Sequence, residues 1–128
     1  MVGGCAVALP AERRLRRGAD ITAVVRRGRR ARSGGLVVHG LRRSGGTARG
    51  PRIAFVAPRT VGTAVVRNRT RRRLQAHLVD LVRDGALHVD VDVVVRLLPA
   101  SGTSTAPELG HQVRAALGRL GVLVDGRP

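Results

Sequence analysis

The sequence predicts a single α+β domain whose elements follow the order helix, two or three strands, helix, strand, helix. Its 128 residues suffice for one compact domain with a buried core. The hydrophobic fraction is 43%, but the chain holds one phenylalanine, Phe55, and no Trp or Tyr. We therefore expect an aliphatic core, around which segments with the period of helices alternate with segments typical of strands.

The chain is expected to enter the domain through a disordered extension at residues 1–8 and a basic arm, whose arginines are Arg13, Arg14, Arg16 and Arg17. The first helix is predicted over 18–27, because its apolar residues recur at i, i+3 and i+4, the spacing of one helical face. These residues are Ile21, Val24 and Val25. Gly28 is well placed to end the helix.

Strands are predicted over residues 36–41 and 52–57, and the cationic patch at 29–33 is a candidate for a further short strand. The segment 42–51 is a Gly-rich basic loop. Because it joins two apolar strands, we expect those strands to pair as an antiparallel hairpin with an over-long connection.

A long helix is predicted from residue 61 to about 84, ending at Gly85. Its second half carries an apolar stripe of Leu74, Leu78, Leu81 and Val82. Residues 67–73, with the sequence RNRTRRR, cover two turns without an apolar side chain. We therefore expect this part of the helix to lie outside the core.

Residues 89–98 begin with alternating apolar side chains and continue as an apolar run, a pattern typical of a central strand covered on both faces. A loop over 99–107 follows, in which Thr105 and Glu108 fit a capping box. The last helix places Leu109, Val113, Leu117 and Leu120 on one face and stops at Gly121. The domain is expected to span 9–122, with a flexible tail at 123–128.

Charge is concentrated in the first half of the chain. All 24 cations are arginines; residues 1–73 carry 19 of them against two acids, whereas 74–128 carry five against six acids. A compositional bias would load both halves alike, so we expect one concentrated cationic surface for a polyanion. No run approaches the ~18 apolar residues of a membrane span, and large apolar anchors are absent. These features predict a soluble, cytoplasmic protein that binds nucleic acid and no membrane.

Sequence signatures of protein-based catalysis are absent: the chain contains no GxxxxGK[ST], HExxH or GxSxG. The histidines show no metal-ligand spacing and are expected to be ordinary surface or half-buried residues; they are His39, His77, His88 and His111. Asp90 and Asp92 are open to interpretation as a paired-carboxylate metal site, but solvent-facing alternation along a strand explains them better. We therefore predict no catalytic residue and no protein-bound metal.

Residues 59–73, RTVGTAVVRNRTRRR, combine a helix start with a dense set of cations. The N-terminus of a helix offers free N–H groups and a positive dipole end to phosphate. Guanidinium forks add bidentate contacts, and Asn68 could contact a base edge or a 2′-hydroxyl. This stretch therefore predicts a phosphate-binding surface.

The same stretch resembles the signature of the bacterial ribonuclease P protein subunit, which runs roughly K-x-x-G-x-A-x-x-R-N-R-x-K-R. The matching residues are Arg59, Gly62, Ala64, Arg67, Asn68, Arg69, Arg71 and Arg72, with arginine in place of lysine at 59 and 71. The resemblance extends over about residues 9–120. It implies a two-layer α/β sandwich of order αβββαβα, with a left-handed βαβ crossover through the motif helix.

The resemblance also implies an RNA-binding subunit that helps a ribozyme to remove the 5′ leader of precursor tRNA. The motif helix would face the catalytic RNA through Arg59, Arg67, Asn68, Arg69, Arg71, Arg72 and Arg73. A cleft between the first helix and the sheet would hold the leader; the family commonly lines it with aromatics, and the aligned residues here are Ile21, Val25 and His39. The RNA would carry out the hydrolysis with Mg²⁺ that it mainly binds itself, and one protein would bind each RNA.

Two other functions remain open from the sequence. A basic ribosomal or nucleoid-type structural protein would explain the charge, but it would not explain the motif helix placed between two strands in this order. A self-contained nuclease would need clusters of acidic residues, which the sequence does not provide.

Overall fold

Three helices and a four-stranded mixed sheet make up the fold in a computed structural model that describes residues 9–43 and 50–124. In chain order the elements are α1 (Gly18–Arg27), β1 (Arg29–Ser33), β2 (Leu36–Arg42), β3 (Arg52–Val56), α2 (Ala64–Arg83), β4 (Val91–Leu97) and α3 (Ala106–Leu120). Short 3₁₀ turns precede the three helices at Ala11–Arg13, Arg59–Val61 and Pro99–Thr103. The α+β class and the predicted element order are confirmed. The expected extension at 1–8 and most of the basic loop lie outside the described residues.

β4 occupies the centre of the sheet, whose strand order is β1-β2-β4-β3. β1 pairs with β2 and β2 with β4, both antiparallel, whereas β3 and β4 pair in parallel through a crossover that contains α2. The expected hairpin between β2 and β3 is therefore wrong. The physical reason is the apolar run of β4, whose first five residues are buried, because such a strand needs partners on both edges. Because β4 lies between β2 and β3, a tight hairpin turn could not connect these two strands.

Helices cover both faces of the sheet. On one face α2 and α3 enclose the main core, which includes Leu36, Val38, Leu74, Leu78, Val93, Val95, Leu109 and Leu117. On the other face α1 covers a smaller core of Leu15, Val24, Ala54 and Val94. Complete burial of such a side chain contributes about 1.5–3 kcal/mol. The sheet and the α2–α3 layer thus form the expected sandwich, and α1 packs on its outer side.

α2 begins three residues later than predicted. Gly62 adopts φ +149°, a conformation that other residues rarely reach, and it separates the Arg59–Val61 turn from the helix. Thr63 then caps α2, because its hydroxyl accepts a hydrogen bond from Val66 N at 3.3 Å. The motif therefore contains a turn, a glycine and a cap before its first helical arginine.

Glycines end α1 and α3 for different reasons. The predicted bounds of α1 are confirmed, but Gly28 is extended, and a Cβ there would lie 2.5 Å from the carbonyl oxygen of Gly40. Close approach of two backbones therefore requires this glycine. Gly121 instead takes the left-handed conformation, with φ +71°, at the end of α3. The capping box of Thr105 and Glu108 at the start of α3 is confirmed.

Asp92 is buried, so the expectation that it faces solvent is wrong. Arg52 donates from Nε and Nη2 to its two carboxylate oxygens at 2.9 and 2.8 Å, and Arg43 donates to the same carboxylate. The strands on both sides of β4 deliver these arginines, because Asp92 lies opposite the end of β2 and the start of β3. Asp90, by contrast, makes a more exposed ion pair with Arg42 at 3.7 Å.

The ordered chain continues past the predicted domain end at residue 122. Leu123 forms an antiparallel bridge with Leu87, and Val124 N donates to Ala86 O at 2.6 Å. The first two residues of the tail expected over 123–128 thus pair with the segment after α2. The other four residues lie outside the described part of the chain.

Candidate nucleic-acid interface

The first turns of α2 distribute their side chains in three rows, each with the spacing of one helical face. We call them the outer row, the loop row and the cleft row; they are Val65–Asn68–Arg72, Arg69–Arg73–His77 and Arg67–Arg71–Gln75. The outer row is exposed, and Val65 is 72% exposed. The expectation that 67–73 lies outside the core is confirmed except for Thr70, which is buried and donates its hydroxyl to Val66 O at 2.9 Å.

The loop row binds the segment that leads into α3. Three contacts join it to alternate carbonyl oxygens: Arg69 Nη2 to Gly102 at 3.4 Å, Arg73 Nη1 to Ser104 at 2.9 Å, and His77 Nε2 to Ala106 at 2.8 Å. The three acceptors belong to the end of the 3₁₀ turn Pro99–Thr103, the extended link and the first residue of α3. This carbonyl ladder therefore fixes α2 to the chain around the start of α3 and orients two of the predicted site arginines.

A cleft of about 270 Å³ lies between the cleft row and the basic arm. Arg14, Arg16, Arg71 and Gln75 supply its polar residues, and apolar residues of the arm, α1 and β3 complete it. Phe55, the one aromatic residue of the chain, lines it from β3 and is half-buried. The cleft thus brings arginines of the arm and of the motif helix to one place.

The arm reaches this cleft because it follows the free edge of β3. Leu15 N donates to Ile53 O at 2.9 Å, beside a parallel bridge between residues 14 and 53. Arg14 Nε donates to Leu9 O at 3.0 Å, and Arg13 Nη1 donates to the carbonyl oxygen of residue 51 at 3.5 Å. Arg16 and Arg17 are exposed.

Asn68 and Arg67 belong to the motif but make no contact with the carbonyl ladder. Asn68 Oδ1 accepts a hydrogen bond from Arg71 Nη2, so the amide orients the guanidinium that reaches the cleft. Arg67 is half-buried, and its buried Nε has no hydrogen-bond partner within residues 9–43 and 50–124. Buried donors are normally paired, and an anion bound at this guanidinium would supply an acceptor. Arg59, in the turn before α2, is exposed.

In the part of the chain that the structure describes, the cations of the motif form no ion pair with an acidic residue. Within residues 9–43 and 50–124, the ion pairs join Arg42 to Asp90, Arg43 and Arg52 to Asp92, Arg52 to Asp20, and Arg83 to Asp80. None of them involves an arginine of residues 59–73. A surface of like charges without counter-charge favours a polyanionic ligand.

The residues predicted for the leader cleft share the face of the sheet that α1 covers. Ile21 and Val25 are half-buried and pack against the smaller core, and Ile21 also lines the cleft beside the arm. His39 is only 2% exposed, and neither ring nitrogen has a hydrogen-bond partner among the described residues. Burial, followed by the charges of Arg96 and Arg30, lowers the pKa of His39 below its usual 6.5. The neutral ring therefore lies under α1 and is not a free stacking platform.

The sequence interpretation missed two residues that line the cleft, Phe55 and Gln75. A signal existed for Phe55, since it is the sole Phe, Tyr or Trp side chain of the chain. Gln75 carries no such signal, because only the packing of the arm brings it to a cleft.

Carboxylates that could hold a metal ion do not cluster here. In the part of the chain that the structure describes, no group of three or more potential metal ligands occurs. Asp92 is engaged by two arginines, which occupy the oxygens that Mg²⁺ would need. The described residues therefore do not fit a protein-held Mg²⁺ site. The same part of the chain contains no helix long and apolar enough to cross a membrane.

Comparison with known proteins places this arrangement among relatives. A family profile described as Ribonuclease P matches residues 9–121. The Ribonuclease P protein component of Rhodococcus erythropolis is 40% identical over 122 residues, covering 91% of this chain and 95% of the relative. The Ribonuclease P protein component of Acidothermus cellulolyticus is 45% identical over 112 residues, covering 88% of this chain and 91% of the relative. The RNase P protein of Staphylococcus aureus has a similar structure, with a TM-score of 0.76 and 17% identity over 88% of this chain and 98% of that one.

Proposed function

Because this chain belongs to the ribonuclease P protein component family, and so has a role in tRNA processing with the RNA subunit, we propose that it assists the catalytic RNA in endonucleolytic removal of the 5′ leader from precursor tRNA. The observation that carries the proposal is the arginine-rich start of α2. Its cations lack carboxylate partners within the described residues. Asn68 and the carbonyl ladder orient three of them.

The outer row and the cleft row supply the contact with the catalytic RNA. Arg72 and Asn68 are exposed, and Arg71 is directed into the cleft where Arg14 and Arg16 also lie. Guanidinium groups fixed by the protein bind phosphate oxygens at a lower entropic cost than free side chains. One such surface on a domain of this size is consistent with one protein per RNA.

The protein contributes binding, and the RNA contributes the hydrolysis. Mg²⁺ held mainly by the RNA would supply the activated water, since the described residues do not fit a site for it. The α1 face of the sheet would hold the leader of the substrate. With Ile21, Val25 and His39 in place of aromatics, contact there depends on electrostatics and aliphatic packing and not on base stacking.

Reconstitution tests the function. The purified protein, the cognate catalytic RNA and a precursor tRNA are combined, and single-turnover cleavage is measured with and without protein. We expect faster cleavage with the protein and none by the protein alone. Binding of the RNA without any gain in cleavage would favour a structural nucleic-acid-binding protein. Cleavage by the protein without RNA would overturn the proposal in favour of a self-contained nuclease.

A further inference from the structure

Val65, the second residue of α2, is an apolar side chain that the fold leaves uncovered. It is 72% exposed, and Val89, just before β4, is 58% exposed. Every other Val, Leu, Ile or Phe of residues 9–43 and 50–124 is buried or half-buried. An isolated exposed valine is ordinary on a protein surface, so its meaning depends on its surroundings. Val65 lies among the arginines of the motif, whereas Val89 lies next to Asp90 in the chain.

The start of α2 forms without a contribution from Val65. Thr63 caps the helix through Val66 N, and Val66 is the valine that packs against the main core. Val66 also fills the space beside two glycines, because a Cβ on Gly62 or Gly102 would lie 3.0 or 3.2 Å from Val66 Cγ1. A β-branched residue loses side-chain freedom in a helix, so an exposed valine there is mildly unfavourable. Folding therefore gives no reason for an apolar side chain at position 65.

The polar neighbours of Val65 on the helix are engaged elsewhere. Residues three and four positions further along a helix lie beside a given side chain, and here they are Asn68 and Arg69. Arg69 Nη2 donates to Gly102 O at 3.4 Å, and Asn68 Oδ1 accepts a hydrogen bond from Arg71 Nη2. Arginine stems often cover apolar neighbours, but these side chains are held by other partners. Val65 consequently stays bare beside the cations of the motif.

We propose that Val65 is a non-ionic contact of the interface with the catalytic RNA, in which it packs against the sugar or base face of an unpaired nucleotide while Arg72 binds a nearby phosphate. This inference rests on the proposed function and adds a contact that charge alone does not provide. A nucleotide combines an apolar face with a charged phosphate, and the outer row combines Val65 with Asn68 and Arg72. The continuity of Val65 with the exposed Arg72 in one row favours RNA as its occupant.

An apolar contact gives the interface two properties that phosphate contacts lack. Affinity from phosphate contacts falls as salt rises, because bound cations release counterions. Burial of apolar surface does not depend on counterions, so the contribution of Val65 should persist at high salt. An unpaired nucleotide exposes its base, whereas bases within a continuous duplex are stacked. Val65 should therefore favour RNA with an unpaired nucleotide over a plain duplex, and Arg72 should not discriminate between them.

The test compares Val65→Ala with Val89→Ala, a matched truncation of the other exposed valine. Affinity for the catalytic RNA and for a plain RNA duplex is measured over a salt series. We expect V65A to bind the catalytic RNA about tenfold more weakly at every salt concentration, for the loss of two methyl groups from the contact. V89A should bind as wild type, and Val65→Ile should keep wild-type affinity. Arg72→Ala should instead flatten the slope of log affinity against log salt by about 0.7–0.9.

Several outcomes would contradict the contact at Val65. These are equal affinities of V65A and V89A for the catalytic RNA, a loss in V65A that shrinks as salt rises, and an equal loss for the plain duplex. As an independent readout, the methyl NMR signals of Val65 should shift when the catalytic RNA is added, whereas those of Val89 should not. An unmoved Val65 signal would contradict the contact. A wild-type protein that binds the RNA without enhancing cleavage would instead contradict the proposed function, and the RNA affinities of the variants would still decide the role of Val65.

Discussion

At the scale of single residues, a buried histidine is the polar side chain that lacks most hydrogen bonds in the part of the chain that the structure describes. His39 of β2 is enclosed between β1, β4 and α1, and no described residue forms a hydrogen bond with either ring nitrogen. Buried polar groups are normally paired, because an unpaired one costs about 1–3 kcal/mol. The ring stays neutral, since a proton would add a third positive charge beside Arg30 and Arg96.

The stability of the protein should therefore depend on pH through His39. In the unfolded chain it takes up a proton near its ordinary pKa of 6.5, and in the folded protein only at lower pH. The unfolded state binds more protons between these values, so the free energy of unfolding should fall as pH falls through 6.5. Urea unfolding of wild type and His39→Phe between pH 5 and 8 measures this. In H39F the free energy of unfolding should depend less steeply on pH than in wild type. In His111→Gln, an exposed control, it should depend on pH as in wild type. Identical slopes in wild type and H39F would assign the effect to another group.

At the scale of elements, one carboxylate joins three strands. Asp92 of β4 binds Arg52 of β3 and Arg43, directly after β2. Arg43 Nη2 also donates to the carbonyl oxygens of Gly50 and Val89, at 2.7 and 2.9 Å. Both ends of the basic loop are thereby fixed to the start of the central strand.

Asp92→Asn should destabilise the fold by about 3 kcal/mol, near the lower end for breaking a buried ion pair, because both guanidinium groups are partly exposed. Asp90→Asn, the matched change at the exposed pair with Arg42, should cost less than about 1 kcal/mol. Chemical denaturation of both variants provides the comparison. Similar losses of unfolding free energy in D92N and D90N would mean that the burial of Asp92 does not determine how much its ion pairs stabilise the protein.

Neighbouring arginines of α2 should separate folding from binding. Arg72 is exposed in the outer row, whereas Arg73 donates to Ser104 O in the carbonyl ladder. Arg72→Ala should weaken affinity for the catalytic RNA and leave the unfolding midpoint unchanged. Arg73→Ala should also lower stability, by about 1 kcal/mol for the lost hydrogen bond. RNA titration and urea unfolding of the two variants test the division, and a stability loss in R72A would contradict it.

At the scale of the whole molecule, charge asymmetry determines how the protein is expected to act. Residues 1–73 carry 19 arginines and two acids, and much of this charge lies in the arm, β1 and the start of α2. In the proposed function, two polyanions, the catalytic RNA and its substrate, must approach each other. We expect a cationic domain between them to lower their repulsion.

Mg²⁺ screens the same repulsion, so the benefit of the protein should shrink as Mg²⁺ rises. Single-turnover cleavage rates with and without protein should differ most at the lowest Mg²⁺ concentration and converge at the highest. Removal of one acid, such as Asp90, should leave the chemical step within about tenfold, or 1.4 kcal/mol. A benefit that is constant across the Mg²⁺ series would contradict an electrostatic role.

Local patterns predict the elements of this protein well, and global packing decides the rest. The helices and β4 follow from apolar spacing, and the capping box at Thr105 follows from a four-residue pattern. The pairing of β2 with β4 could not be predicted, because partner choice depends on which strand needs two covered edges. The burial of Asp92 could not be predicted for the same reason, because the arginines that surround it, Arg43 and Arg52, come from two other segments.

The sequence predicts which residues belong to the candidate site, but it does not predict how their side chains are arranged. The resemblance selects the arginines of 59–73, but nothing local distinguishes Arg72, which is exposed, from Arg73, which binds the protein's own backbone. The cleft beside Arg71 depends on the arm that lies along β3.

The insertion of β4 between β2 and β3 has a consequence for how the protein is made. Synthesis delivers β1, β2, β3 and α2 before the strand that joins the two halves of the sheet. The carbonyl ladder needs residues 102–106, which emerge later still. Until then the arginines of α2 have no carbonyl oxygens to align them, and β3 has no central partner. On the ribosome, the nascent chain therefore presents the charge of α2 before the residues that align its arginines have been synthesised.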